Sequence, residues 1–534
     1  MQGNLPLISP SALKARLRGN EELALLDVRE EGDFARGHLL LACPLPLSRL
    51  ELRLCDLVPR RSTPIVLCDR RGELVERAAQ KLRRFGYAEL LALDGGVDAW
   101  AAAGLELFTG VNVPSKAFGE LVEARCATPS ISAEELKAAR EGGEQVVVLD
   151  SRPMEEFRVM SIPGAIDCPG AELVYRIADL APSPDTRIVV NCAGRTRSII
   201  GAQSLINAGV ANRVVALRNG TMGWHLAGFE LERGRTRRPP EVSSDGLARA
   251  RAMAEGVAEQ LGVRSIDFST LGRWRAESGE RTLYLLDVRD PEEYEAGHLP
   301  ASRPAPGGQL VQKTDSFMGT RGARVVLIDD IGVRATMTAS WLVQMGLEDV
   351  FVLRDGLAGP SLEKGRYRPS VLGLDDDAPE ATTPAELSSA LERGEALVVD
   401  LATSLRYRAG HIPGAWFAVR SRLSDSAARL PSAPTIVLTS DDGVLARLAA
   451  PELQALTGSS VKVLDGGTAA WSVAGLPLAD GMENLADECD DVFWRPYDHD
   501  QGAEQAMNDY LAWEHGLIEQ IERDGTVRFR VSPA

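Results

Sequence analysis

The sequence predicts an α/β protein built from four tandem copies of one unit, each a parallel sheet covered by helices on both faces. Each copy opens with an apolar strand ending in aspartate, at Asp27, Asp150, Asp287 and Asp400. Eleven residues after each aspartate comes one of His38, Ser161, His298 and His411. A turn ending in glycine closes each copy, followed in three of them by Trp100, Trp224 and Trp471. Strands that alternate with helical segments over roughly 100 residues indicate a parallel sheet, and the recurrence indicates repeated domains.

Between these anchors, each copy contains a middle strand, a helix and another apolar strand. The middle strands begin at Ile65, Ile188, Val325 and Ile436. Ser132 with Glu135, and Thr383 with Glu386, form the capping-box pattern that starts a helix before the first strand of copies two and four. Copies two and three are separated by a further predicted helix over 246–261.

The predicted domains are residues 1–110, 111–235, 236–374 and 375–480, followed by a C-terminal tail, 481–534. The tail contains an acidic patch, an aromatic cluster at 493–497 and a helix-compatible segment over 501–523. Its aromatic content predicts docking on the body of the protein or on a second subunit. A homodimer is therefore one expectation.

Composition excludes several classes of function. The net charge of −17 argues against binding to nucleic acid or to anionic membranes. The sequence contains no apolar run of membrane-spanning length and no signal-peptide pattern, which predicts a cytoplasmic protein. Seven cysteines without a Cys-x-x-Cys pair favour neither a disulfide framework nor a metal site. No cofactor is expected.

The candidate nucleophile is Cys192, at the predicted carboxyl end of a buried strand and just before a helix. A helix start presents unpaired N–H groups and the positive end of a dipole to an anion. Arg195 and Arg197 follow within five residues. The sequence therefore predicts that Cys192 has a lowered pKa and carries sulfur.

The four copies are not equivalent at this position. Alignment of the middle strands without gaps puts Cys192 opposite Asp69, Asp329 and Ser440. Cys68 falls opposite Asn191 instead. Copies one, three and four are therefore predicted to be inactive, and copy two to be the catalytic one.

To residue 480, the chain resembles a tandem of four modules of the rhodanese superfamily. The resemblance rests on the Asp-x-Arg starts, the Glu-Phe and Glu-Tyr positions, the His-Ile-Pro-Gly-Ala segment, the cysteine loop and the Gly-Gly-x-x-Ala-Trp ends. These motifs include residues 150–152, 156–157, 411–415, 192–198 and 95–100. The resemblance implies a five-stranded parallel sheet in each module. It also implies a thiosulfate sulfurtransferase-like activity through a persulfide on Cys192.

The expected reaction needs an anionic sulfur donor and a nucleophilic acceptor. Backbone N–H groups should cradle the persulfide, and they belong to Ala193, Gly194, Arg195, Thr196, Arg197 and Ser198. Arg195 and Arg197 are the candidates for binding the donor's anionic end. The acceptor is expected to be cyanide in an assay or a thiol in the cell, and a thioredoxin-like protein is one candidate.

Two alternatives from other classes stay open. The first is a phosphatase of the related cysteine-loop kind, which would need arginine six positions after the cysteine, where this chain has Ser198. The second is a non-catalytic scaffold of four binding modules, which the intact Cys192 loop argues against.

Within the sulfurtransferase interpretation, a 3-mercaptopyruvate donor is disfavoured because the loop of that subgroup resembles Cys-Gly-Ser/Thr-Gly-Val-Thr.

Overall fold

The computed structural model describes residues 5–358, 361–374 and 379–532 of the chain, and it contains four α/β modules in tandem. Each module has five parallel strands in the spatial order 1-5-4-2-3, counted along its own sequence. The fold class predicted from the repeats is thus confirmed. The predicted boundary at 375–378 lies outside the described residues.

The strands of the four modules are short, and most are buried. In module one they are Leu7–Ile8, Leu23–Asp27, Cys43–Pro44, Ile65–Cys68 and Leu90–Leu93. In module two they are Ser130–Ile131, Val146–Asp150, Ile166–Asp167, Arg187–Asn191 and Val214–Leu217. In module three they are Arg264–Ile266, Leu283–Asp287, Arg303–Pro304, Arg324–Ile328 and Val350–Leu353. In module four they are Ala381–Thr382, Ala396–Asp400, Trp416–Phe417, Thr435–Thr439 and Ser460–Leu464.

Helices cover both faces of each sheet. Those of module one and the following linker are Pro10–Leu17, Glu31–Arg36, Leu50–Leu57, Glu73–Arg84, Gly96–Ala102 and Val113–Cys126. Those of module two and its linker are Ala133–Glu141, Met154–Val159, Leu173–Leu180, Thr196–Asn207, Gly220–Leu226 and Ser244–Leu261. Modules three and four contain Phe268–Ala276, Pro291–Ala296, Gly307–Gln312, Val333–Gln344, Pro384–Glu392, Ser404–Ala409, Leu423–Ser426, Val444–Thr457 and Gly467–Val473. Both predicted capping boxes are confirmed, at Ser132 and Thr383.

The sheet of module one has a sixth strand that sequence analysis did not predict. Thr320–Arg321, from module three, pairs antiparallel with Leu23–Asp27 of module one. A two-residue strand carries too weak a pattern to be recognised, and its partner lies about 300 residues away in sequence. The pairing joins modules one and three through backbone hydrogen bonds.

Modules two and three share one apolar core. Phe118, Ile199 and Trp341 belong to the same buried cluster, although they come from the linker helix, module two and module three respectively. The indole N–H of Trp341 also donates to Oγ of Ser204, at 2.8 Å. Module two is therefore packed as part of a larger body.

The C-terminal tail folds back over its own chain. The segment predicted as one helix over 501–523 forms two, Ala503–His515 and Leu517–Asp524, which meet at Gly516. Leu517 and Ile521 are buried against Val113 and Ala117 of the linker helix. The docking predicted from the tail's aromatic content thus takes place on the body of the protein. Among the helices described, none is long and apolar enough to cross a membrane.

Candidate active site

The strand pairing settles which residue of each module takes the position of Cys192. Asn191 pairs with Asp150, and Cys68 pairs in the same way with Asp27. Cys192 and Asp69 therefore each lie one residue beyond equivalent strand ends. The same pairing joins Ile328 to Asp287 and Thr439 to Asp400. The predicted register, with Asp329 and Ser440 in the other two modules, is confirmed.

The start of the helix Gly220–Leu226 holds the loop after Cys192 in place through hydrogen bonds. The backbone N–H groups of Thr221 and Met222 donate to the carbonyl oxygens of Cys192 and Ala193, at 2.8 and 2.9 Å. Gly220 allows this close approach, since a Cβ there would lie 2.3 Å from the carbonyl oxygen of Cys192. Because these carbonyl oxygens accept hydrogen bonds from the helix, the N–H groups of the loop are left to bind an anion at the Cys192 side chain.

In modules one and three, the N–H groups of the equivalent loop bind an aspartate side chain. In module one, Oδ2 of Asp69 accepts hydrogen bonds from the N–H groups of residues 74 and 75, at 2.7 and 3.2 Å. In module three, Oδ2 of Asp329 accepts from residues 334 and 335, at 2.8 and 3.3 Å. These two loops hold a carboxyl oxygen of their own at the position that corresponds to the cysteine side chain of module two. The equivalent N–H groups in module two belong to Arg197 and Ser198.

Cys192 is deeply buried, with 2 % of its surface exposed. Burial raises the pKa of its thiol, and the charge of Arg197 and hydrogen bonds from Ser198 offset only part of this effect. The hydroxyl of Ser198 donates to Sγ at 3.0 Å. The sequence prediction of a lowered pKa is therefore wrong for this closed pocket, because the cost of removing a thiolate from water outweighs the nearby cation.

Arg197 is held beside the cysteine by a carboxylate of its own module. Its guanidinium donates to both oxygens of Glu156, at 2.9 and 2.7 Å. Although burial opposes ionisation, Arg197 holds the pKa of Glu156 at about 2. The pair is ionised at neutral pH, and Arg197 still favours the thiolate form of Cys192.

Arg195 is directed toward the linker helix Val113–Cys126. Its guanidinium donates to both oxygens of Glu120, at 2.7 and 2.8 Å, and also contacts Glu123. The residue is 5 % exposed. These contacts fix the loop against the linker helix, while Arg195 also lines the cavity above Cys192, so its role in binding the donor stays a prediction.

A cavity of about 240 Å³ opens above the loop. Six consecutive residues of the loop line it: Cys192, Ala193, Gly194, Arg195, Thr196 and Arg197. The remaining walls come from elsewhere in the chain: Glu31 of module one, Lys116 of the linker helix, Gln309, Gln312 and Lys313 of module three, and Phe493, Arg495, Tyr497, Tyr510 and Glu514 of the tail. Sequence reasoning missed all of these residues, and its only signal for them was the aromatic cluster of the tail.

Two lysines that line the cavity, Lys116 and Lys313, add positive charge to the site. Both predicted arginines are paired with carboxylates, whereas no carboxylate within 4 Å pairs with Lys116 or Lys313 among the described residues. Lys116 donates to the carbonyl oxygen of Val111 at 2.6 Å and lies over the rings of Tyr510 and Trp513. Burial lowers the pKa of Lys313. These ammonium groups are the cations left to attract an anionic donor.

Replacement of Arg197 by methionine should raise the pKa of the Cys192 thiol further, because the cation that favours the thiolate is removed. We expect the rate of Cys192 alkylation by iodoacetamide at neutral pH to fall roughly 10-fold or more, since one pKa unit is a factor of ten in thiolate. The pH profile of alkylation should move to higher pH. Arg195→Met should cause a smaller shift, and equal shifts in the two variants would contradict the assignment.

Comparison with known proteins gives the class to which this fold and loop belong. The profile of the rhodanese-like domain matches residues 9–103, 132–227, 273–360 and 383–474. The chain belongs to the rhodanese family, with four such domains in tandem. The resemblance noted from the motifs is confirmed.

A solved structure that resembles the whole chain is the thiosulfate sulfurtransferase from Pseudomonas aeruginosa. It is 51% identical in sequence, with a TM-score of 0.94, and the match covers 99% of this chain and 100% of that one. A sulfurtransferase from Allochromatium vinosum is 31% identical over 100 residues, 19% of this chain and 92% of that protein. The HTH-type transcriptional regulator Rv0324 of Mycobacterium tuberculosis is 37% identical over 105 residues, which span 20% of this chain and 45% of the regulator.

Proposed function

We propose that this protein is a thiosulfate sulfurtransferase in which Cys192 of module two carries the sulfur. The observation that supports this most directly is the contrast between the modules: the loop that holds a fixed carboxylate in modules one and three holds a thiol in module two. Modules one, three and four are proposed to be catalytically silent, with Asp69, Asp329 and Ser440 in place of the nucleophile.

The reaction takes place in two halves. The thiolate of Cys192 attacks the outer sulfur of thiosulfate, the S–S bond breaks, and sulfite leaves with the bonding electrons. The persulfide anion then occupies the nest of N–H groups ending at Ser198, close to Arg197. A nucleophilic acceptor attacks the outer sulfur and returns Cys192 as a thiolate, ready for the next donor. Lys116 and Lys313 supply positive charge for the dianionic donor.

A cysteine-loop phosphatase is less consistent with the loop. Arg197 is paired with Glu156 and lies five residues after Cys192, and Ser198 donates directly to the sulfur. A phosphatase of this kind would need the arginine at the sixth position, in a loop wide enough for a tetrahedral phosphoryl group. The persulfide needs only the N–H groups and one nearby cation.

Intact mass spectrometry tests the proposal. After incubation with thiosulfate, the protein should gain one sulfur, roughly 32 Da, and peptide mapping should locate it on the peptide that contains Cys192. Cyanide should remove the added mass as thiocyanate forms. An unmodified protein, or a sulfur located on Cys68, would overturn the assignment.

A further inference from the structure

Glu514 of the C-terminal tail is a buried carboxyl group placed against the cysteine loop. It is 1 % exposed and lines the cavity above Cys192. A Cβ added to Gly194 would lie 3.4 Å from Oε2 of Glu514 and 3.6 Å from a ring carbon of Tyr510. The carboxyl group therefore packs over the loop, two residues beyond the nucleophile.

Oε2 of Glu514 has no hydrogen-bond partner among the described residues. A buried carboxyl oxygen without a partner is costly, and in a cavity such an atom is available to a ligand. The charged and titratable groups that face it are Lys116 and Glu120 of the linker helix, Arg195 of the loop and Tyr510 of its own helix. Burial raises the pKa of Glu514, although Lys116 opposes the shift. The group can therefore both take and give a proton near neutral pH.

The cavity also limits what can reach Cys192. Its walls come from module one, the linker helix, module two, module three and the tail, and the sulfur atom is buried beneath them. A volume of about 240 Å³ holds a small molecule. The walls favour a small thiol over the thioredoxin-like protein considered from sequence.

Given the proposed sulfurtransferase function, we propose that Glu514 is the proton carrier for transfer of sulfur from Cys192 to a small thiol. Glu514 accepts the proton of the acceptor S–H group, and the resulting thiolate attacks the outer sulfur of the persulfide. The S–S bond to Cys192 breaks and Cys192 leaves as a thiolate. Glu514 returns the proton to the transferred sulfur, which departs as a neutral hydropersulfide. No net proton, oxidant or reductant is required.

Sulfite provides an internal comparison, because its attack on the persulfide re-forms thiosulfate without any proton transfer. The full-length protein is first loaded with thiosulfate and then freed of excess donor. It is mixed at about pH 8 with either dithiothreitol or sulfite, and the loss of the persulfide is measured by mass spectrometry. In Glu514→Gln we expect transfer to dithiothreitol to slow about 100-fold and transfer to sulfite to slow less than about 3-fold. Glu514→Asp, which keeps a carboxyl group, should recover part of the thiol rate.

Glu504→Gln is the matched control, because Glu504 lies on the same helix with an exposed side chain. It should transfer sulfur to both acceptors at the wild-type rates. Equal slowing with both acceptors in Glu514→Gln, or no slowing with either, would overturn the role of Glu514. If Glu514→Gln does not fold, the wild-type protein still tests the identity of the acceptor. Sulfur transfer to reduced thioredoxin as fast as to dithiothreitol would overturn the small-thiol assignment. A wild type that never forms the persulfide would instead refute the proposed function itself.

Discussion

Replacement of Cys192 by serine should lower the rate of thiocyanate formation from thiosulfate and cyanide at least about 10³-fold, because a serine hydroxyl cannot form the persulfide. Ser198 would still present its hydroxyl and the loop its N–H groups, so donor binding should survive the change. The steady-state assay should therefore report a collapse of kcat with little change in KM. Circular dichroism should show an unchanged fold, since serine has the same branching as cysteine and is smaller, so it fits the same space.

Cys68→Ala is the matched control for Cys192→Ser. Cys68 also comes after a run of apolar residues, but it is the last residue of the middle strand of module one and lies one position before the loop. It is fully buried, and burial together with the nearby Asp27 raises the pKa of its thiol. This variant should retain turnover. A loss of activity in Cys68→Ala similar to that in Cys192→Ser would mean that module one also carries sulfur.

The elements of the fold could be predicted because the same signals occur four times. A single apolar run is ambiguous between a strand and a buried helix, but the spacing from Asp150 to Ser161 recurs in every module and identifies the repeats. Alignment of the middle strands without gaps then gives the register. That register separated Cys192 from Cys68, although both follow similar apolar runs. The same register aligns Gly86, Gly209 and Gly346, which all have positive φ, between 73° and 89°.

The walls of the site could not be predicted, because their positions depend on packing between modules. Lys313 lies about 120 residues and Glu514 about 320 residues from Cys192 in sequence, and neither belongs to a repeated motif. The direction of the Cys192 pKa was predicted wrongly for the same reason. The helix start and Arg197 are visible in sequence, whereas the burial imposed by the tail is not. Arg195 likewise looked available until its contacts with Glu120 placed it on the linker helix.

Arg334 of module three connects its own module to module two. It lies five residues after Asp329, as Arg197 lies after Cys192, and it is fully buried. Its guanidinium contacts Asp329, Asp330 and Glu293 of its own module, and it reaches Glu172 of module two at 2.9 Å. Carboxylate oxygens of Glu172, Asp290 and Glu293 lie within 4.8 Å of one another, and the Arg334 guanidinium pairs with Glu172 and Glu293.

Arg334→Met should therefore reduce the free energy of unfolding by about 3–5 kcal/mol at neutral pH, because it leaves buried carboxylates without their partner. The loss should show as a lower urea midpoint. Arg324→Met, which removes a pair with the exposed Glu277, is the control and should cost at most about 1 kcal/mol. A cost for Arg334→Met no larger than that of the control would contradict the role assigned to Arg334 in joining modules two and three.

The deficit should also depend on pH. Burial raises the pKa of Asp329 from its ordinary value to about 7, against the effect of Arg334. A carboxyl group whose folded pKa is raised binds its proton more tightly in the folded state, so it contributes stability below about pH 4 that is lost as the pH rises toward 7. Without Arg334 the folded pKa of Asp329 should rise further, so this loss should continue to higher pH. The difference in unfolding free energy between wild type and Arg334→Met should therefore be smaller near pH 5 than near pH 8. A deficit that stays constant across this range would show that lost packing of the long arginine side chain, and not charge, holds the two modules together at this point.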